Sequence, residues 1–124
     1  RGMVKKTIYK CDIAIIGGSM GGVAAALAAL ERGYNVILTE TTDWLGGQMT
    51  SQGVSAFDEH PPIETLGCTE RYSELRQRIR EVYQEKYNVH PVKNGQPLNP
   101  GNGWVSHLCF EPKVGVEVLE EMLG

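Results

Sequence analysis

The chain has 124 residues, of which 41% are hydrophobic and 22% are charged, values that are typical of a globular domain. Its 15 acidic residues outnumber its 12 lysines and arginines, so the net charge of −3 argues against electrostatic binding to nucleic acid or to an anionic membrane. The ordinary apolar fraction excludes a disordered chain. Glycine is crowded into the first half, which predicts backbone that turns sharply or approaches a ligand closely there.

The first forty residues have the pattern of a βαβ unit. A strand is predicted over residues 8–16, whose second half is continuously apolar, as in a strand buried on both faces of a sheet. An alanine-rich helix is predicted over residues 19–32, and Gly33 follows it as a C-cap residue. A second strand is predicted over residues 34–39, so that a parallel βαβ unit occupies residues 8–40.

The rest of the chain is predicted to contain two helices and two irregular stretches. The loop 41–69 is too long for an idle connection, so we predict that it contacts a ligand. An amphipathic helix is predicted over residues 70–88 and an irregular loop over residues 89–103. A short strand at 104–110 is predicted next, and a helix follows it to complete residues 104–123. The arginines of the helix predicted over residues 70–88 alternate with glutamates and are predicted to form a solvated face: Arg71, Arg76, Arg78 and Arg80.

Several other features are predicted to have no special role. The uncharged segment 13–30 is long enough for a membrane span, but its four glycines would weaken a single helix, so we expect no membrane partner. The adjacent residues Asp58, Glu59 and His60 lack distant partners, so we expect no metal site. Three widely spaced cysteines predict reduced thiols and favour a non-oxidising compartment such as the cytoplasm.

The glycine-rich turn after the first strand is the most informative motif. A dinucleotide site needs a tight turn, close packing of helix on strand, and free N–H groups at the helix N-terminus for a pyrophosphate. Glu40, about twenty residues further on, is placed to accept hydrogen bonds from the adenosine ribose. Ser19 replaces the second glycine of GxGxxG, but it is small and its hydroxyl can bond a phosphate oxygen. The predicted pyrophosphate site comprises Gly17, Gly18, Ser19, Met20, Gly21 and Gly22.

A second glycine pair follows the acid. Gly46 and Gly47 let a loop lie flat against an extended ligand. The segments DIAIIGGSMGGVAAALAALERGYNVILTE and TTDWLGGQMTSQG resemble the N-terminus of FAD-dependent oxidoreductases with a glutathione-reductase-like nucleotide-binding domain. The later segments DEHPPIE and NPGNGWVSHLCFEP are similar to a narrower bacterial group known only as FAD-dependent oxidoreductases, so the resemblance covers nearly the whole chain.

This resemblance implies an α/β fold, a Rossmann-like FAD/NAD(P)-binding βαβ unit with a parallel sheet. It implies that residues 1–124 are the N-terminal part of the FAD-binding domain of a larger flavin-dependent oxidoreductase. The remaining C-terminal part, or a second chain, is then expected to complete the protein. Because the flavin ring carries the electron transfer, no catalytic residue is assigned. The further residues expected to bind FAD are Thr41, Leu45, Gly46, Gly47, Gln48, Met49 and Thr50.

Two other functions remain open from the sequence. One is an NAD-dependent dehydrogenase, for which the acid at position 40 disfavours NADP because it would repel the 2′-phosphate. The other is a non-catalytic nucleotide-binding or assembly subunit whose site is completed by a partner chain.

Overall fold

The computed structural model describes residues 2–90 and 95–124, so that residues 91–94 of the predicted irregular loop lie outside the described residues. Within these ranges the chain forms two strands, one 3₁₀ helix and four α-helices. These are β1 (Ile13–Ile16), α1 (Met20–Glu31), β2 (Val36–Thr39), a 3₁₀ helix (Gly47–Met49), α2 (Ile63–Leu66), α3 (Glu70–Glu85) and α4 (Pro112–Leu123).

The first three elements form a parallel βαβ unit, which confirms the predicted α/β fold. β1 and β2 pair in parallel, with Ile13 opposite Val36 and Ile16 opposite Thr39. The crossover helix α1 packs against both strands. It ends just before Gly33, whose φ of +81° is readily adopted by glycine and lets the chain turn back towards β2.

Both strands are shorter than predicted. Residues 8–12 are not part of β1, because pairing starts only where the N–H groups of Asp12 and Ile13 donate to the Asn35 carbonyl. β2 starts two residues late because the Tyr34 N–H still donates to Ala29 in α1. Within this chain β1 is not buried on both faces as predicted, since Ile16 is 82% exposed. In the described residues the sheet has two strands and α1 covers one of its faces.

The hydrophobic core lies between α1, α3 and α4. Ile79 of α3 and Val118 of α4 have no exposed surface, and Val23 of α1 packs in the same cluster. Gly115 in α4 lets the loop after β2 approach closely, because a Cβ there would lie 2.8 Å from the Met49 side chain. The core therefore joins the C-terminal helix to the 3₁₀ helix that follows β2.

Two predictions about the second half are corrected by the structure. Residues 104–110 form no strand, because Trp104, Val105 and His107 lie in bends and only Leu108 and Cys109 make bridges, each to a different irregular segment. α3 ends at Glu85, three residues before the predicted end. Beyond it the chain turns, since Asn88 adopts a φ of +52° and the Val89 N–H donates to the Tyr83 carbonyl.

The arginines of α3 do not form one solvated face. Arg76 and Arg80 are buried, with 4% and 7% of their surface exposed. Their charges are neutralised by Glu59 and Glu64, which precede the helix. The alternation along α3 predicted a solvated face, whereas these two partners lie outside α3, Glu59 in the preceding loop and Glu64 in α2. None of the helices in the described parts of the chain is long and apolar enough to cross a membrane.

Candidate cofactor site

The turn between β1 and α1 is closed around two glycines. Gly17 adopts a φ of +105° and donates to the Thr39 carbonyl, so the turn begins where the paired strands end. A Cβ on Gly22 would overlap the Gly17 carbonyl oxygen. This close approach packs the start of α1 against the turn and leaves its backbone accessible, as a pyrophosphate requires.

The N-terminus of α1 has the properties of an anion-binding site. Ser19 is the N-cap residue, and its Oγ accepts a hydrogen bond of 3.4 Å from the Gly22 N–H. No acidic side chain lies in the first turn, and Gly21 has open space around it. The positive end of the helix dipole is therefore not neutralised by the helix itself.

The second glycine pair lies directly against this turn. The Gly46 N–H donates to the Gly18 carbonyl at 2.7 Å, and Ser19 and Gly46 form a parallel bridge. A Cβ on Gly47 would lie 3.3 Å from the Ser19 Cα. The structure thus brings together two glycine segments that are separated in the chain by most of α1 and by β2.

Glu40 lies beside the same turn. A Cβ on Gly18 would be 3.1 Å from the Glu40 Oε2 atom, which shows how close the carboxylate is to the glycine backbone. The Glu40 Oε1 atom accepts hydrogen bonds from the N–H groups of Thr41 and Thr42, at 2.6 and 3.3 Å. The predicted ribose-binding acid and the predicted pyrophosphate turn are therefore adjacent in the fold.

The predicted residues after the glycine pair divide into two groups. Gln48 is exposed, whereas Met49 and Thr50 are buried. The Thr50 hydroxyl donates to the Leu45 carbonyl, so it supports the loop from inside. Leu45 is half-buried and packs against the core cluster.

A cavity of about 110 Å³ lies next to Met20, Gln48 and Met49. This cavity is also lined by Val54, Ala56, Phe57 and Asp58, which the sequence placed in the ligand-contacting loop 41–69 without naming them as site residues. They could not be singled out from the sequence, because their position depends on packing against α3 and the segment before α4.

A network of charged side chains holds the segment before α3 in place. Arg76 pairs with both Glu59 and Glu64, and the Tyr72 hydroxyl also donates to Glu59. Burial raises the pKa of Glu64, but hydrogen bonds from Arg80 and Arg76 outweigh it and lower this pKa below its ordinary value. Burial and the hydrogen bond to Glu59 raise the pKa of Tyr72. This network fixes the loop that precedes α3 onto the helix.

The acidic residues of this loop are not arranged as a metal site. Asp58 and His60 are exposed, whereas Glu59 is directed towards Arg76. Within residues 2–90 and 95–124 there is no group of three or more His, Cys, Asp or Glu side chains that could hold a metal ion.

Comparison with known proteins identifies the family. The family described as FAD dependent oxidoreductase matches residues 12–124. The chain belongs to this family. The match confirms the predicted family and its cofactor, FAD. The glycines of the turn fit that cofactor, because a dinucleotide pyrophosphate must approach the backbone closely. The first turn of α1 also carries no acidic side chain that would compete with the pyrophosphate.

Curated relatives of this member of the FAD dependent oxidoreductase family are flavin enzymes and other proteins of larger size. The chain is 41% identical to flavin-containing amine oxidase B of Cavia porcellus over 87 residues, which are 68% of this chain and 16% of that protein. It is 46% identical to N,N-dimethylglycine/sarcosine dehydrogenase of Chromohalobacter salexigens over 41 residues, 33% of this chain and 6% of that protein.

A third relative is the carotenoid phi-ring synthase of Chlorobaculum tepidum, 36% identical over 50 residues, which are 40% of this chain and 8% of that protein. The chain thus spans less than a fifth of the length of these relatives. No solved structure matches the chain.

Proposed function

We propose that this chain supplies the nucleotide-binding part of the FAD site in a flavin-dependent oxidoreductase. In this proposal residues 17–22 bind the pyrophosphate, Glu40 binds the adenosine ribose, and residues 45–50 follow part of the inner half of FAD. The observation that carries the proposal is the contact between the two glycine segments beside Glu40, at the N-terminus of α1.

The residues of this chain bind and orient the cofactor. The N–H groups at the start of α1 are suited to bind a negatively charged group, and the accessible backbone of Gly21 permits close contact. The carboxylate of Glu40 accepts hydrogen bonds, which suits the ribose hydroxyls. Bound FAD would supply the electron-accepting ring system.

We further propose that residues 1–124 form the N-terminal part of the FAD-binding domain, and that a further part of the same protein, or a second chain, completes the substrate side. The small share of each relative that the chain matches supports this proposal. The exposed face of the parallel sheet supports it as well, because parallel sheets in proteins are covered on both faces.

The visible absorption spectrum of the complete protein, purified from its natural source, tests this function. We expect the two absorption bands of an oxidised flavin and the release of FAD on denaturation. A colourless protein that binds NAD would instead favour a dehydrogenase. A protein that binds a nucleotide but has no redox activity with its partners would favour the assembly subunit.

Replacing the acid at the end of β2 tests the adenosine end of the site. We expect Glu40→Ala to raise the dissociation constants of both FAD and ADP by roughly 10- to 100-fold, since a hydrogen bond to a charged group contributes about 1.5–3 kcal/mol. Glu40→Gln keeps one acceptor oxygen and should have a smaller effect. Fluorescence titration of the complete apoprotein measures both constants, and unchanged affinities would remove Glu40 from the site.

A further inference from the structure

The cavity beside the 3₁₀ helix extends the candidate site past Thr50. Met20, at the start of α1, and Gln48 line this cavity. Val54 and Asp58 line it as well. The cavity is therefore shared by residues of the predicted site and by a segment in which no individual site residue had been predicted.

The segment 54–58 is held in place at several points. The Val54 N–H donates to the Gln48 carbonyl at 2.9 Å, which ties the segment to the 3₁₀ helix. The Phe110 N–H donates to the Ser55 carbonyl at 3.2 Å. The Phe57 ring packs against the rings of Tyr72 and Phe110, with centroids 5.4 and 5.3 Å away. Such a segment can present a side chain in a fixed position.

Two neighbouring carboxylates in this loop face different surroundings. Glu59 pairs with Arg76 of α3 and accepts hydrogen bonds from the Tyr72 hydroxyl of α3 and the Ser106 hydroxyl of the segment before α4. Asp58 is exposed and lines the cavity. The network thus holds the backbone through Glu59 and leaves Asp58 exposed at the cavity.

We propose that Asp58 binds a hydroxyl group of the ribityl chain of FAD. This inference rests on the proposed function, which places the pyrophosphate at α1. A carboxylate only accepts hydrogen bonds, so its ligand must be a donor, whereas a phosphate would be repelled. Beyond the pyrophosphate, FAD continues with a ribityl chain that carries several hydroxyl groups, and this is the part that ADP lacks.

The comparison of FAD with ADP tests the proposal in the complete apoprotein. We expect Asp58→Ala to raise the dissociation constant of FAD about tenfold, the effect of losing one hydrogen bond to a charged group, and to leave that of ADP unchanged. Asp58→Asn keeps one acceptor oxygen and should weaken FAD binding less. Asp43→Asn is the matched control, because Asp43 is exposed in the same loop and does not line the cavity.

Fluorescence titration gives the affinities, and circular dichroism shows whether each variant is folded. Unchanged FAD affinity in Asp58→Ala would overturn the proposal, as would an equal loss of FAD and ADP affinity. An equal effect of Asp43→Asn would overturn it too, since it would indicate a general effect of charge. If the unaltered apoprotein binds ADP but not FAD, the proposed function itself fails, a result that differs from a failure of the Asp58 variants alone.

Discussion

At the scale of single residues, the candidate site depends on how little space lies between α1 and the preceding turn. Gly21 and Gly22 are adjacent in the first turn of α1, yet their surroundings differ. A Cβ on Gly22 would overlap the carbonyl oxygen of Gly17, whereas a Cβ on Gly21 would come no closer than 3.9 Å to the Ser19 Oγ. Gly22 is therefore required by packing, whereas Gly21 is required only to leave the backbone accessible to a ligand.

This difference leads to a prediction about stability. Gly22→Ala should lower the free energy of unfolding by about 1–3 kcal/mol, because the turn must move to make room. Gly21→Ala should leave it unchanged or raise it by up to about 1 kcal/mol, since alanine favours a helix. Urea unfolding of both variants measures this, and equal stabilities would show that the turn adapts to a side chain.

At the scale of elements, the sequence predicted what depends on near neighbours and missed what depends on distant ones. The βαβ unit and the place of Glu40 follow from local patterns, since strand, turn and helix lie within one stretch. The burial of Arg76 could not be predicted, because its partners lie outside α3, Glu59 in an irregular loop and Glu64 in the short helix α2. The position of Asp58 was missed for the same reason. The strand predicted at 104–110 failed because only Leu108 and Cys109 find bridge partners, and these partners lie in different segments.

The buried network makes the stability of the chain depend on pH. The pKa of Glu64 is lowered in the folded chain, so the unfolded chain takes up a proton first as the pH falls. The contribution of Glu64 is therefore fully present above its unfolded pKa and is lost as the pH falls through its lower folded pKa. We expect Glu64→Gln to show a smaller loss of stability between about pH 5 and pH 3 than the unaltered chain.

Urea unfolding at several pH values measures this dependence. Glu85→Gln is a suitable control, because Glu85 is exposed at the end of α3. The control should retain the pH dependence of the unaltered chain. Identical curves for Glu64→Gln and the unaltered chain would contradict the assigned role of the network.

At the scale of the whole molecule, one face of the sheet is left uncovered by the described residues. Ile13 and Ile15 are half-buried, whereas Ala14 and Ile16 on the alternate face are exposed. An apolar, β-branched residue such as Ile16 is typical of the interior of a parallel sheet. This agrees with the proposal that another part of the protein, or a second chain, covers this face.

That proposal predicts different effects for two exposed isoleucines. In the assembled flavoprotein, Ile16→Ser should lower the free energy of unfolding by about 2 kcal/mol or more, because burial of the side chain is lost. Ile8→Ser should have little effect, since Ile8 is exposed and precedes the sheet. Thermal unfolding of the two variants gives the comparison, and equally small effects would indicate that the face stays open.

The contact between α4 and the second glycine pair has a consequence for the order of events during synthesis. Leu119 of α4 packs against the loop at Gly46, since a Cβ on Gly46 would lie 2.9 Å from the Leu119 Cδ1 atom. Residues 17–50 leave the ribosome long before Leu119 does, so the loop lacks this support when it first emerges. We therefore expect cofactor loading at the proposed site to wait until α4 has been made and has packed.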